Sequence, residues 1–139
     1  GRDVGLTINS FASLSLDPPL VLWSLVNHSP NLAVFRDCQH FTINILGKDH
    51  QELAMRFANV IHNFIITFAN KFEDVAVHIT PEGIPALHGA IATLVCENHK
   101  QDHIGDHLLM VGHVRRIGSE TGKPLVFHGG TFTALHEAQ

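Results

Sequence analysis

Residues 7–26, TINSFASLSLDPPLVLWSLV, change character across the pair Pro18-Pro19. Before it, Thr7, Asn9, Ser13, Ser15 and Asp17 take odd positions while Ile8, Leu14 and Leu16 take even ones, the alternation of a strand with one wet face. Ser10 and Phe11 interrupt the pattern and Ala12 follows them. After the prolines, Leu20 to Val26 is almost continuously apolar, which suits a strand buried on both faces. A chain with these two segments in succession must hold something polar beside a β core.

The rest of the chain alternates helix and strand signals without a repeat, a low-complexity tract or a linker, so residues 1–139 are expected to form a single domain. In NHSPNLAVFRDC, Ser29 stands as an N-cap with Pro30 at the first helical position, and Leu32 and Phe35 share a face, which predicts a short helix. FTINIL predicts a strand over 41–46. Asp49 with Glu52 three residues on resembles a capping box for the helix HQELAMRFA, whose buried face takes Leu53 and Phe57 and leaves Arg56 free. NVIHNFIITFANKF fits either a continued helix or a β segment. DVAVHI, GAIATLVCENH, HLLMVGHVRRI and PLVFHG predict four more strands, with ENHKQDHIGDH as a hairpin loop. Five or six strands against two or three short flanking helices make an α+β domain whose sheet is expected to curl into a small barrel.

Composition removes several function classes. The formal charge of −4 and a pI near 6.3 leave no broad basic surface for a phosphate backbone, so nucleic acid is not an expected partner. Cys38 and Cys96 are far apart in sequence and are expected to be buried thiols rather than a redox or metal pair. Twelve histidines raise the question of a metal. His99 and His103 have the four-residue spacing of helical ligands, but Gly105 follows at once and the segment is not helical in pattern, so no metal site is expected. No apolar run approaches the roughly 18 to 20 residues of a membrane span, and no basic-then-apolar leader opens the chain. A soluble, cytoplasmic protein is the expectation.

Seven stretches together are similar to the flavin reductase family of FMN-binding split-barrel proteins: GLTINSFASLSLDPPLVL (5–22), FTINIL (41–46), ELAMRFA (52–58), NKF (70–72), IPALHGAIATLVCE (84–97), GDHLLMVGHV (105–114) and PLVFHGGTF (124–132). They occur in the family's order and span nearly the whole chain. The resemblance implies an FMN-binding split β-barrel with a few short flanking helices. Two departures stand out. Family members usually carry an N-terminal helix and first strand ahead of the stretch matching Gly5, which implies either a truncated fragment or a barrel completed differently. The usual H-x-G-R-F or H-x-G-R-Y reads His128-Gly129-Gly130-Thr131-Phe132, so an arginine often found there is Thr131 and its contacts are not carried over.

What the resemblance implies for the site follows the matched residues. Thr7, Asn9, Ser10, Phe11, Ala12, Ser13 and Ser15 would cradle the flavin, with backbone N–H groups and hydroxyls serving its phosphate and ribityl chain; an ordinary amphipathic edge strand is the alternative. Asn44, an amide inside an apolar strand, needs a partner, either backbone or flavin. Arg56, followed by Phe57 in the RFA stretch, would point its fork at the flavin phosphate, and Lys71 matches the same pattern more weakly. Asp106 and His107 lie where the family places the nicotinamide cofactor, and His128 occupies a comparable position in the last motif; a plain turn and a plain core or surface histidine are the alternatives.

The function implied is NAD(P)H-dependent reduction of FMN or FAD, with hydride passing between two stacked cofactor rings and no catalytic side chain required. Family members are commonly homodimers that hand reduced flavin to a flavin-dependent monooxygenase. A flavin-binding or electron-carrying module without turnover, and a histidine-rich metal-binding protein, are the rival readings.

Overall fold

The computed structural model describes residues 4–6, 8, 10–47, 77–119, 125–128 and 131–134, with the side chains of Ser119 and of the last two segments not described. Its main body is an antiparallel sheet of five strands in the order β1-β2-β7-β6-β3. These are β1 (Ala12–Leu16), β2 (Pro19–Val26), β3 (His40–Ile45), β6 (Ala92–Ile104) and β7 (His107–Ser119). Two small hairpins accompany it, β4 (Val77–Ile79) with β5 (Pro85–Leu87) and β8 (Leu125–His128) with β9 (Thr131–Ala134). A single described helix, α1 (Leu32–Asp37), connects β2 to β3. Among the described residues the sheet is open, strand-rich and poor in helix, and no helix is long and apolar enough to cross a membrane.

The register explains the core. Opposed residues of adjacent strands point to the same face, and β2 sets Val21, Trp23 and Leu25 against Gly112, Met110 and Leu108 of β7. On the other side β3 sets Phe41 and Ile43 against Cys96 and Leu94 of β6. These residues form one buried cluster, against which Leu6, Ile8 and Phe11 of the N-terminal segment and Leu32 and Phe35 around α1 are packed. Trp23 is central, meeting Phe35 edge-on at 5.1 Å and Phe41 at 5.8 Å between ring centroids, the arrangement that ring quadrupoles favour.

Several sequence expectations change here. β2 is buried on one face only: Val21, Trp23 and Leu25 are covered, while Leu20, Leu22, Ser24 and Val26 are half-covered. It lies one strand from the sheet edge, and its second face has no full layer over it among the described residues. The expected hairpin loop over 97–107 is mostly strand, because β6 runs to Ile104 and only Gly105 and Asp106 turn. β3 pairs with β6 only up to Glu97, so both faces of the following ribbon carry polar residues and the alternation that signals a strand is lost. Helix α1 begins later than expected. Asn31 is its N-cap, while the Ser29 hydroxyl accepts the Asn31 N–H at 3.2 Å from a turn just ahead. Strands β5 and β9 carry no sequence signal; at three and four residues they are too short for periodicity to register. The expected capping box at Asp49 and Glu52, its helix, and the ambiguous stretch 59–72 lie outside the described residues.

Both cysteines are free. Burial pushes the Cys96 thiol up to about 12, and Cys38, half-buried under Asn98, is also raised, chiefly by burial. Neither is a thiolate near neutral pH.

Gly112 bears a packing demand that Gly118 does not. A Cβ built on Gly112 would lie 2.6 Å from Phe41 Cζ and 3.0 Å from Cys96 Cβ, whereas one on Gly118 meets nothing within 4 Å. Gly112→Ala should therefore destabilise the fold by about 1 to 3 kcal/mol in a urea titration, as overpacking does. Gly118→Ala should be neutral, and equal losses at both positions would contradict this account of the core.

Candidate functional site

The N-terminal segment meets the sheet through Ser10. Its hydroxyl accepts the Ser24 N–H at 3.0 Å and donates to the Ser24 carbonyl at 3.4 Å, so it closes the free edge of β2 where the β1 ladder has ended. Phe11 packs on the core. Ala12 and Ser13 are exposed and Ser15 is half-exposed. A bulge falls between Ser13 and Ser15: Ser13 opposes Val21 and Ser15 opposes Leu20, adjacent residues whose side chains leave opposite faces. The single wet face expected for this strand is thereby split, and Leu14 and Leu16 reach solvent at 51% and 93% exposure instead of the core.

Asn44 has partners in the protein on both ends of its amide. Its Oδ1 accepts the Leu87 N–H at 3.1 Å and the Thr93 hydroxyl at 3.3 Å, and its Nδ2 donates to Thr42 Oγ1 at 3.2 Å. Thr42 in turn donates to the Pro85 carbonyl at 2.8 Å. Of the two partners open to a buried amide, the structure supplies the protein one, and the amide fastens β5 across β3 and β6.

The β6–β7 turn carries Asp106 and His107. Ile104 opposes His107, and Gly105 takes φ +59° at the first of two turn positions, as the primed hairpin turns require. Asp106 Oδ1 lies 2.7 Å from His107 Nδ1. Hydrogen bonding from His107, then its charge, and more weakly the charge of His28, hold the Asp106 carboxyl below its usual range. An ionised carboxylate only accepts, so Nδ1 carries the ring proton and Nε2 is left as an acceptor in the neutral ring or a donor in the imidazolium.

Register separates these residues into two groups. Ser10 bonds Ser24, two positions from Val26, which opposes His107, so the N-terminal segment and the turn share one end of the sheet. Asn44 opposes Thr93, and Thr93 opposes Gly118, placing it at the other end of the β6–β7 ribbon, roughly 35 Å away along a strand at about 3.3 Å per residue. Thr7, Asn9, Arg56, Phe57 and Lys71 lie outside the described residues, and His128 is described only as the last residue of β8. Among the described residues no group of three or more His, Cys, Asp or Glu side chains is placed to hold a metal ion.

One residue to which the sequence assigns no role stands out. Asn31 is 1% exposed, and neither its Oδ1 nor its Nδ2 has a partner; Trp23 Nε1 is buried and unpartnered as well. An N-cap amide normally bonds its own helix, but this one makes no such bond. The sequence signal is a cap-type residue two places after Ser29, hidden because Ser29-Pro30 already satisfies the capping pattern.

Comparison with known proteins places this geometry. Over 129 residues the chain is 39% identical to FMN reductase (NADH) SmoA of Agrobacterium fabrum, covering 93% of this chain and 70% of that protein. It is 39% identical over 132 residues to the reductase component of 4-nitrophenol 4-monooxygenase/4-nitrocatechol 2-monooxygenase of Rhodococcus opacus, covering 95% and 67%. The fold is similar to the Streptomyces globisporus NADH:FAD oxidoreductase solved with NAD and FAD fragments, with a TM-score of 0.88 at 29% identity over 98% of this chain and 80% of that one. The family profile of the flavin reductase like domain matches residues 1–136, and the chain belongs to that family.

Proposed function

We propose that this chain is an NAD(P)H:flavin oxidoreductase, reducing FMN or FAD and supplying the product to a flavin-dependent monooxygenase. The observation that carries the reading is the likeness, over 98% of the chain, to an oxidoreductase solved with fragments of both cofactors. The oxygenase partner rests on relatives named as reductase components of monooxygenase systems.

The residues present fit a flavin and a pyridine nucleotide. The buried, unpartnered amide of Asn31 offers an acceptor and two donors where α1 begins, and the Ser13 and Ser15 hydroxyls stand on an accessible edge strand. Bound together, the nicotinamide supplies a hydride and the isoalloxazine accepts it. Thr7, Asn9, Ser10, Phe11, Ala12, Ser13 and Ser15 would form the flavin cradle, Ser10 through its backbone because its hydroxyl serves Ser24, with only one of the Ser13 and Ser15 hydroxyls on the flavin's face. Arg56, with Phe57, would grip the phosphate, and Asn44 holds β5 to the sheet through Leu87 and Thr93. Asp106, His107 and His128 serve the pyridine nucleotide. These side chains bind, orient and exclude water, so the rate comes from proximity of the two rings.

The wider reading is a cytoplasmic protein of one domain over 1–139, with a sheet that closes as a split barrel in a homodimer. β1 supports the dimer. It is a sheet edge with Leu14 and Leu16 exposed, and apolar edges of this kind are normally covered.

Three measurements test the proposal. NADH oxidation by the purified protein should require added FMN or FAD; flavin binding without oxidation would make the chain a carrier instead. Arg56→Ala should weaken FMN binding about tenfold or more while changing riboflavin binding little, since a charged hydrogen bond is worth roughly 1.5 to 3 kcal/mol. Equal losses for both flavins would take Arg56 out of the phosphate site. Sedimentation at tens of micromolar should give a dimer that Leu16→Glu weakens, and a wild-type monomer would count against the covered edge.

A further inference from the structure

Asn27 follows the last residue of β2, and three of its polar groups meet the β6–β7 hairpin. Its backbone N–H donates to the Asp106 carbonyl at 2.9 Å. Its Nδ2 donates to the Gly105 carbonyl at 3.4 Å, and its Oδ1 lies 3.3 Å from His103 Nδ1. The amide orientation is self-consistent, because a carbonyl oxygen cannot donate to the Gly105 carbonyl. The side chain thus spans the turn and reaches back to the β6 limb.

We infer that Asn27 is a positioning residue, holding the Gly105–Asp106 turn so that His107 Nε2 is presented to the pyridine nucleotide. This rests on the reading of His107 given above. The hairpin does not need Asn27 to form. Gly105 closes the turn locally, and the ladder runs unbroken from Ile104↔His107 to Lys100↔Val111. Among the described residues no strand pairs with β6 beyond Glu97, where β3 stops; α1 meets it only as far as Gln101, whose Nε2 donates to the Arg36 carbonyl at 2.7 Å, and Ile104 stands exposed. The Asp106 side chain, 93% exposed, meets the His107 ring at 2.7 Å. Removing the Asn27 side chain leaves the turn tied to β2 by the Asn27 backbone bond and by the ladder that ends at Val26↔His107, so that Gly105 and Asp106 beyond it can rock and carry the Asp106 carboxylate away from the imidazole.

The test is a double-mutant cycle of Asn27→Ala and His107→Ala on the whole chain, measuring KM for NADH, kcat, the FMN dissociation constant and the melting temperature. Asn27→Ala should raise KM for NADH about threefold to tenfold, as loss of a neutral hydrogen-bonded contact does. It should leave kcat within about twofold and FMN binding unchanged. In the His107→Ala background the same substitution should add nothing, because a residue acting through His107 has nothing left to act on. Additive effects would overturn the inference while leaving His107 in its role. No change in KM for His107→Ala alone would remove His107 from the nucleotide site, and the inference with it. Should Asn27→Ala fail to fold, Asn27→Asp takes its place in the cycle, since it keeps the acceptor for His103 and loses the donor to Gly105. A rise in KM that disappears in the His107→Ala background then supports the inference, and an unchanged or additive KM overturns it.

Discussion

The sheet depends on Phe41 lying across Cys96 against the bare backbone of Gly112. Phe41 opposes Cys96, and Asn98, two residues along β6, opposes Gly112, so the ring spans three strands only because one neighbour is small and the other has no side chain. Trp23 then stands edge-on to Phe41 and to Phe35. A single aromatic series therefore joins α1, β2, β3 and β7. A methyl group on Gly112 would push against the first ring of that series and be felt in all four elements.

From this contact the end of the sheet that carries α1 and the β6–β7 turn is built outward. Register shifts lie at Val95/Cys96 and Asn98/Lys100, on both sides of the point where Phe41 crosses. Bulges bend and twist a strand locally, and here the second one brings Asn98 to α1, where its Nδ2 donates to the Phe35 carbonyl at 3.0 Å and the Cys38 carbonyl at 2.9 Å. The Phe35 carbonyl also takes the Cys38 thiol at 3.2 Å, and both carbonyls lie at the helix end, where intrahelical donors run out. With its far end fixed, α1 starts just beyond the β2 turn, which places Asn31 in the interior and Asn27 over the β6–β7 hairpin.

Much of the fold was legible because β2, β3 and the first half of β6 are apolar runs bounded by turn residues; the one-sided burial of β2 and β3 was less so, since the run Leu20 to Val26 hides its period of two. The second half of β6 was not, since its polar content reflects the loss of β3 as a neighbour, a tertiary fact. The exposure of Leu14 and Leu16 escaped for the opposite reason. Their alternation promised a buried face, and the bulge between Ser13 and Ser15 left that promise unmet. At the candidate site, the Gly105-Asp106-His107 turn was visible from its residue types, while Asn27 and Asn31 carry no local signal. Their roles arise from groups 78 residues away in one case and from the lack of a partner in the other.

The chemistry itself explains why family resemblance, rather than a motif, led to the function. Hydride transfer between two bound rings needs no nucleophile, no general base and no metal ligand set, so nothing in the chain must take the few residue types that such catalysts require. The protein must supply surfaces that keep two planar groups in contact, and a sheet pinned at its centre by one aromatic series meets that demand through backbone geometry. Exposed Asp106 and half-buried His107 sit on that frame at a tight turn. Their orientation is inherited from the sheet through Val26 and Asn27, and it is therefore set by the packing that holds β2 against β7.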